Sequence, residues 1–210
     1  MKEKQPVKLY YMPGACSLAT HIVLEWIGGD YETKRLAHAD LKQPDYLRVN
    51  PQGAVPALEL DDGTVLTQNA AILGYLADRH PEAGLYGDGS PRARAEVNHW
   101  LGLVNSDLHP AYKPLFGATA YLGDESMIEK SRANAKEKVR ALFELLDKAL
   151  AGRDGIAGHR SIADAYLYVL TRWTDGVKID ISDLADLQRF RKLMEADASV
   201  QKALKAEGLS

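Results

Sequence analysis

The spacing of apolar residues divides the chain into a first part that mixes strands with helices and a second part whose periodicity is helical only. The first part alternates short β-rich segments with helical runs, separated by Gly, Pro, Asn and Asp. The predicted elements are strand 7–11, helix 18–27, strand 31–36, a short helix from 44, strands 55–60 and 64–67, and helix 70–79. We expect them to form a mixed β/α domain.

After His80 the chain shows almost no strand signal. The first predicted helix starts at Ser90-Pro91 and runs toward Tyr112, and an apolar stripe over 139–150 predicts the next. Further helices are predicted over 165–173, 186–194 and 200–204. A capping-box pattern at Ser161–Asp164, with Asp in place of Glu or Gln, precedes the mostly apolar run that we expect to be the central helix. Residues 81–89 are rich in Gly and Pro, which is typical of a linker. We therefore predict domains at 1–80 and 90–210, joined by a linker at 81–89.

Composition argues against several classes of function. Charged residues make up 26% of the 210 residues and the formal net charge is −3, so no basic surface predicts binding to nucleic acid or to an anionic membrane. No apolar run is long enough to span a bilayer, and the six histidines and single cysteine show no metal-ligand spacing. The lone cysteine and the polar start of the chain favour a reducing, cytoplasmic location.

The single cysteine, Cys16, follows a short strand and a Pro13-Gly14 turn and stands at the first turn of a predicted helix. Free amides and the positive end of the helix dipole favour an anion there, so we expect this thiol to ionise more readily than a free cysteine. Without a second cysteine, any thiol chemistry must use an external thiol. The alternative is a small buried apolar residue without a chemical role.

A dense turn signal, Asn50-Pro51-Gln52-Gly53, precedes Val55-Pro56 at the start of an alternating strand. Proline belongs only at the start or edge of a strand because it cannot donate a hydrogen bond to the sheet. Asp61-Asp62-Gly63 predicts a tight antiparallel hairpin, and Asn69 is a good N-cap for the helix that follows.

Six motifs occur along the chain: Tyr11-x-Pro13-Gly14-Ala15-Cys16-Ser17-Leu18, Asn50-Pro51-x-Gly53-x-Val55-Pro56-Ala57-Leu58, Thr67-Gln68-x-Ala70-Ala71-Ile72, Leu108-His109, Pro114-Leu115-Phe116 and Ser161-Ile162-Ala163-Asp164-Ala165. Together they resemble the cytosolic glutathione S-transferases over nearly the whole chain, and within them the bacterial beta class. Only Met1–Pro6 falls outside and looks like an extended start. The resemblance implies an α/β thioredoxin-like N-terminal domain followed by an all-α helical-bundle C-terminal domain.

The resemblance also implies that glutathione is the co-substrate and that no metal takes part. It implies a cis peptide bond at Val55-Pro56, where the backbone of Val55 pairs with the cysteinyl part of glutathione. The γ-glutamyl part would bind at Gln68-Asn69, at a helix N-terminus. Cys16 and His109 would meet the glutathione sulfur, and Cys16 could form a mixed disulfide with it.

Other positions are matched through the same resemblance. Ser106 and Asp107 match polar positions that border the glutathione site. Tyr11 matches an aromatic of the class motif and is a candidate catalytic residue beside Cys16 and His109, either as a donor to the sulfur or as a packing residue. Ser17 is a second-rank donor. The sequence departs from the family pattern at Asn69, which is larger than the usual Ser or Gly, at Gly102, in place of an Asn, and at Pro110, in place of a lysine. Lys113 is not assumed to replace that missing cation.

The implied activity is conjugation of the glutathione thiolate to soft hydrophobic electrophiles, in a pocket expected near Tyr112, Phe116 and Trp173. Two alternatives stay open: a glutathione-dependent disulfide reductase or peroxidase acting through Cys16, and a non-catalytic carrier of glutathione or a hydrophobic ligand. The expected partners are glutathione, a small electrophile and a second copy of the chain in a homodimer, with neither nucleic acid nor membrane.

Overall fold

The computed structural model describes residues 6–209. Its strands and helices are β1 Val7–Tyr11, α1 Ser17–Ile27, β2 Tyr31–Arg35, α2 Pro44–Val49, β3 Ala57–Glu59, β4 Val65–Thr67, α3 Asn69–Arg79, α4 Pro91–Leu103, α5 His109–Ala111, α6 Glu125–Ala149, α7 Ile162–Val177, α8 Ala185–Ala196 and α9 Ala198–Glu207. A π turn at Val104–Leu108 joins α4 to α5. The extended start expected at Met1–Pro6 falls, except for Pro6, outside the described residues.

Strand β1 pairs with a neighbour on each side in a four-stranded sheet of order β2-β1-β3-β4. It runs parallel to β2 and antiparallel to β3, where Leu9 lies opposite Leu58 and both side chains are fully buried. The hairpin at Asp61-Asp62-Gly63 is confirmed, because β3 and β4 are antiparallel and Gly63 has a φ of +85°. With α1 and α3 packed against it, the sheet forms the thioredoxin-like arrangement that the resemblance implied.

Helix α7 is the central element of the helical part. Every residue from Ile162 to Thr171 is buried, and the helix packs against α1, α3, α4 and α8. One continuous apolar core therefore runs from the sheet through α1 into the helical bundle. The expected central helix is confirmed, whereas the division into domains at 80 and 90 stays a prediction.

The structure shifts several predicted boundaries. The stripe over 139–150 is only the end of α6, which begins at Glu125 and is capped by Asp124 accepting from the Met127 N–H at 3.1 Å. The predicted strand 55–60 contracts to β3, because Val55 and Pro56 belong to the loop before it. No helix among the described residues is long and apolar enough to cross a membrane.

The capping box at the start of α7 is confirmed and buried. The Asp164 carboxylate accepts hydrogen bonds from the Ser161 N–H at 2.7 Å and the Ser161 hydroxyl at 2.8 Å. It also accepts from the N–H of Ile156 at 2.7 Å, which ties the preceding loop to the helix. One carboxylate thus satisfies three donors where water cannot reach them.

We predict that Asp164→Ala lowers the free energy of unfolding by about 3 kcal/mol, because it leaves buried donors without a partner. The measurement is guanidinium unfolding at a fixed protein concentration. The matched control is Asp45→Ala, whose carboxylate is 93% exposed and pairs only with Arg48, so it should change the free energy by less than about 0.5 kcal/mol. Equal losses in the two variants would contradict the capping role.

Candidate active site

A cavity of about 340 Å³ lies where the loops around β3 and α1 face α5 and α7. Six of the predicted site residues line it together: Cys16, Val55, Pro56, Gln68, Asn69 and His109. Asn50, Gln52, Asn105, Lys113 and Tyr166 line it as well. Within residues 6–209, no group of three or more His, Cys, Asp or Glu side chains is placed to hold a metal ion.

Cys16 is the N-cap of α1 and not part of its first turn, and its side chain remains partly exposed. Its sulfur lies 3.4 Å from the Val55 carbonyl oxygen, to which the thiol donates. Burial raises the pKa of the thiol to about 12, although the amides of Cys16 and Ser17 pull the pKa down. The expectation of an easily ionised thiol is therefore wrong, because the loss of water outweighs the two amides.

The Val55-Pro56 peptide bond is cis, as expected. The loop before it is held by two donors, since the Tyr46 hydroxyl and the Asn50 side-chain amide both bond the Ala54 carbonyl, at 2.6 and 2.7 Å. Gly53 has a φ of +59°, and a Cβ there would lie 2.5 Å from a backbone oxygen. Only glycine fits this turn, which fixes the path of the backbone that faces the cavity.

Asn69 is not the N-cap of α3 that the sequence predicted. The N-cap of α3 is Gln68, with a φ of +69°, and Asn69 is the first helical residue. Its side chain is buried, accepts from the Thr20 hydroxyl at 2.8 Å and donates to the Cys16 carbonyl at 2.9 Å. The Asn69 amide therefore braces the start of α1, while Gln68, whose side chain donates to Gln52 at 2.9 Å, stays at the edge of the cavity.

His109 approaches the cavity from the helical side. Its Nδ1 lies 2.5 Å from the hydroxyl of Tyr166, and its ring packs edge-on against Trp173 with centroids 5.0 Å apart. Burial, and to a smaller extent the positive charge of Lys113, lower the pKa of His109 to about 4. The imidazole is thus neutral at pH 7, and the nearby cation is Lys113, one turn beyond the proline that replaces the family's lysine.

Four of the expected site residues lie outside the cavity lining. Tyr11 is 5% exposed and packs on His21 in the core, and the hydroxyl of Ser17 is buried within hydrogen-bond distance of the backbone of Met12. Ser106 and Asp107 are exposed on the π turn. Residues four apart in a helix share a face, so the turn directs Asn105 into the cavity with His109 and leaves the two residues between them outside.

The expected aromatic pocket is only partly open. Phe116 is 56% exposed and packs edge-on against Trp173, with ring centroids 5.1 Å apart. Tyr112 stacks behind Phe116 but is fully buried, and its hydroxyl donates to the Leu170 carbonyl at 2.8 Å. Phe116 and Trp173 thus offer an apolar surface next to His109, and Tyr112 supports it from behind.

The loop before Cys16 is fastened to the helical part of the chain. The Gly14 N–H donates to the Glu207 carboxylate at 2.9 Å, and the Gly14 carbonyl accepts from the Trp173 indole at 2.8 Å. The other oxygen of Glu207 lies 2.9 Å from Nδ1 of His21, and both side chains are almost completely buried. The end of α9 therefore fixes the loop that presents Cys16.

Sequence reasoning missed Tyr166 as a site residue. It lies inside the apolar run of α7, where the spacing of a tyrosine predicts a core residue. It is also 57 positions away from His109 in the sequence. The capping box predicts where α7 begins but not which of its faces meets the cavity. Only the packing of α7 against α5 and the cysteine loop brings the hydroxyl there.

Comparisons with known proteins agree with this geometry. The family model described as the N-terminal domain of glutathione S-transferase matches residues 14–79. A glutathione S-transferase of Xanthomonas campestris is 52% identical over 205 residues, which cover 97% of this chain and 100% of that protein.

Solved structures of glutathione S-transferases superpose on nearly the whole chain. A glutathione S-transferase from Xylella fastidiosa superposes with a TM-score of 0.94 at 53% identity. A sphingomonad glutathione S-transferase complexed with glutathione gives 0.86 at 42% identity, and a beta-class enzyme of Sphingomonas chungbukensis gives 0.87 at 38%. Each covers 97% of this chain and 100% of the other. The resemblance expected from the six motifs, beta class included, is confirmed.

We predict that, in protein freed of glutathione, Cys16 reacts with iodoacetamide far more slowly at pH 7.5 than free glutathione does. A thiol whose pKa is raised to about 12 carries little thiolate at that pH, and the thiolate is the reacting form. The alkylation rate, measured by mass spectrometry, should rise continuously between pH 7 and pH 10. Because the chain has one cysteine, every adduct reports on this site. A rate that levels off near pH 7 would contradict the prediction.

Proposed function

Because the chain belongs to the glutathione S-transferase family, we propose that it binds glutathione in the cavity described above, with the glutathione sulfur between Cys16 and His109. Its activity is that of a glutathione S-transferase, an enzyme with glutathione as co-substrate. The observation that carries the proposal is one cavity that joins the Cys16 thiol, the backbone at the cis Val55-Pro56 bond and the His109 imidazole.

The cavity provides a place for each part of the tripeptide. The N–H and C=O of Val55 pair with the cysteinyl backbone of glutathione, as an added strand would. The γ-glutamyl carboxylate binds at the N-terminus of α3, where backbone N–H groups and the Gln68 side chain are available. In this arrangement Asn69 contributes its backbone, because its side chain is already bonded to Thr20 and Cys16.

The surroundings of the sulfur favour an anion on the substrate and not on the protein. Cys16 retains its proton and is a weak donor, His109 is neutral, and Lys113 supplies positive charge. The bound glutathione thiol loses its proton to water, and the thiolate attacks the electrophilic carbon of a molecule resting on Phe116 and Trp173. A carbon–sulfur bond forms as the leaving group departs with its electron pair.

Disulfide exchange through Cys16 is the second candidate function. It is supported by the partly exposed position of the only cysteine in the same cavity. The raised pKa of that thiol opposes it, because exchange needs the Cys16 thiolate as the attacking group. Conjugation is therefore the function that the site supports better.

We further propose a cytoplasmic homodimer in which the N-terminal part of one chain packs on the helical part of the other. The support is the family resemblance alone. Light scattering in solution tests the assembly: twice the mass of the chain agrees with the proposal, and a monomer overturns it.

We predict that conjugation of chlorodinitrobenzene by Cys16→Ala has a kcat/KM about fivefold below that of the wild type, because one weak donor to the thiolate is lost. His109→Ala should lose more, about 30-fold, because a stronger N–H donor is removed. The matched control is His99→Ala, an exposed histidine on α4 outside the cavity, which should retain wild-type activity. Full activity in His109→Ala would overturn the placement of the sulfur.

A second measurement separates the two candidate functions. Mass spectrometry after incubation with oxidised glutathione detects a mixed disulfide at Cys16. Slow, pH-dependent formation of this adduct agrees with conjugation as the main activity. Rapid and complete formation at pH 7, together with disulfide reductase activity that Cys16→Ala loses, would make exchange the main activity.

A further inference from the structure

The contact between His109 and Tyr166 joins two helices beside the cavity. The Tyr166 hydroxyl lies 2.5 Å from Nδ1 of the imidazole, and the two rings are nearly perpendicular with centroids 5.8 Å apart. Tyr166 is 1% exposed, so this hydroxyl has little access to bulk water. Its proton must therefore be placed among the neighbouring protein groups.

The neighbours of Tyr166 determine the direction of this hydrogen bond. The side chain of Asn69 has a fixed orientation, because the Thr20 hydroxyl donates to its oxygen and its nitrogen donates to the Cys16 carbonyl. Among residues 6–209, the hydrogen bond of the Tyr166 hydroxyl is the one to Nδ1 of His109, and burial leaves its proton little access to water. Because the Asn69 oxygen already accepts from the Thr20 hydroxyl, the proton of Tyr166 is directed to Nδ1 of His109.

A neutral imidazole that accepts at Nδ1 carries its proton on Nε2. Nε2 of His109 has no hydrogen-bond partner among residues 6–209 and is not one of the fully buried unpartnered atoms there, and His109 lines the cavity. We propose that Tyr166 is a positioning residue that fixes His109 in the Nε2–H tautomer, so that the imidazole presents an N–H donor to the anion bound in the cavity. The inference rests on the proposed function in identifying that anion as the glutathione sulfur.

The opposite tautomer would work against binding. With the proton on Nδ1, Nε2 would present a lone pair to an anionic sulfur, and the two would repel each other. Two other groups influence this pair electrostatically: the positive charge of Lys113 acts on His109, and the thiol of Cys16 acts on Tyr166. Neither determines which imidazole nitrogen carries the proton. The Tyr166 hydroxyl is thus the group that selects the useful tautomer.

The tautomer can be measured without glutathione. Two-bond nitrogen–proton correlation spectra of the protein labelled with ¹⁵N-histidine distinguish the tautomers, and a His109→Asn spectrum assigns the signal. We expect the Nε2–H form in the wild type and a mixture in Tyr166→Phe. The matched control is Tyr168→Phe, which removes another buried tyrosine hydroxyl from α7, one that bonds Arg172 and does not line the cavity. The Nδ1–H form in the wild type overturns the inference even if Tyr166→Phe does not fold.

The effect on the sulfur is read from the thiol pKa of bound glutathione, followed by the ultraviolet absorbance of the thiolate. Tyr166→Phe should raise this pKa by about one unit, which makes the thiolate-to-thiol ratio about tenfold smaller at a given pH. Tyr168→Phe should leave the pKa unchanged. In the double variant with His109→Ala, the Tyr166 change should add nothing further. If His109→Ala raises the thiol pKa of bound glutathione and Tyr166→Phe leaves that pKa unchanged, the inference is overturned. A wild type that binds no glutathione overturns the proposed function instead, and the tautomer measurement still decides the inference.

Discussion

Loss of water is the constraint on which the candidate site depends. Burial pushes three titratable groups around the cavity toward their neutral forms: it raises the pKa of Cys16 and Tyr166 and lowers that of His109. The result is a set of uncharged donors around a space of about 340 Å³ with one nearby cation, Lys113. The donors and the positive charge of Lys113 are what can stabilise a negative charge on a ligand there, since burial alone disfavours any charge.

The rigidity of the site comes from contacts that are distant in the sequence. Gly14, two residues before the cysteine, is held through its N–H by Glu207 and through its carbonyl by Trp173. The carbonyl of Cys16 itself is held by Asn69 from α3. The thiol is therefore positioned by groups from α3, α7 and α9 together, and the shared apolar core between the sheet and α7 makes these contacts possible. A site held in this way does not need to reorganise when an anion arrives.

The sequence predicted most of the fold because its signals there are local. The Ser161–Asp164 capping box and the Asp61–Gly63 hairpin each depend on a few adjacent residues, and both are confirmed. The cis bond at Val55-Pro56, which the family resemblance implied, is confirmed as well. The predictions that were wrong depended on surroundings that are not local. The acidity of Cys16 is decided by burial under distant helices, and the N-cap of α3 moved from Asn69 to Gln68 because Thr20 and Cys16 engage the Asn69 side chain. The position of Tyr166 at the cavity was missed for the same reason, because it depends on the packing of helices that are distant in the sequence.

The two candidate functions compete for a single negative charge. In the proposed complex the sulfur of glutathione lies next to that of Cys16, and ionising either thiol raises the pKa of the other. The His109 donor and the Lys113 charge stabilise whichever thiolate lies nearer to them, and burial already disfavours the Cys16 thiolate. While the substrate thiolate is present, Cys16 therefore remains a thiol and acts as a donor. Exchange would require the charge to move from the substrate to the cysteine, so the position of one proton determines which chemistry the site performs.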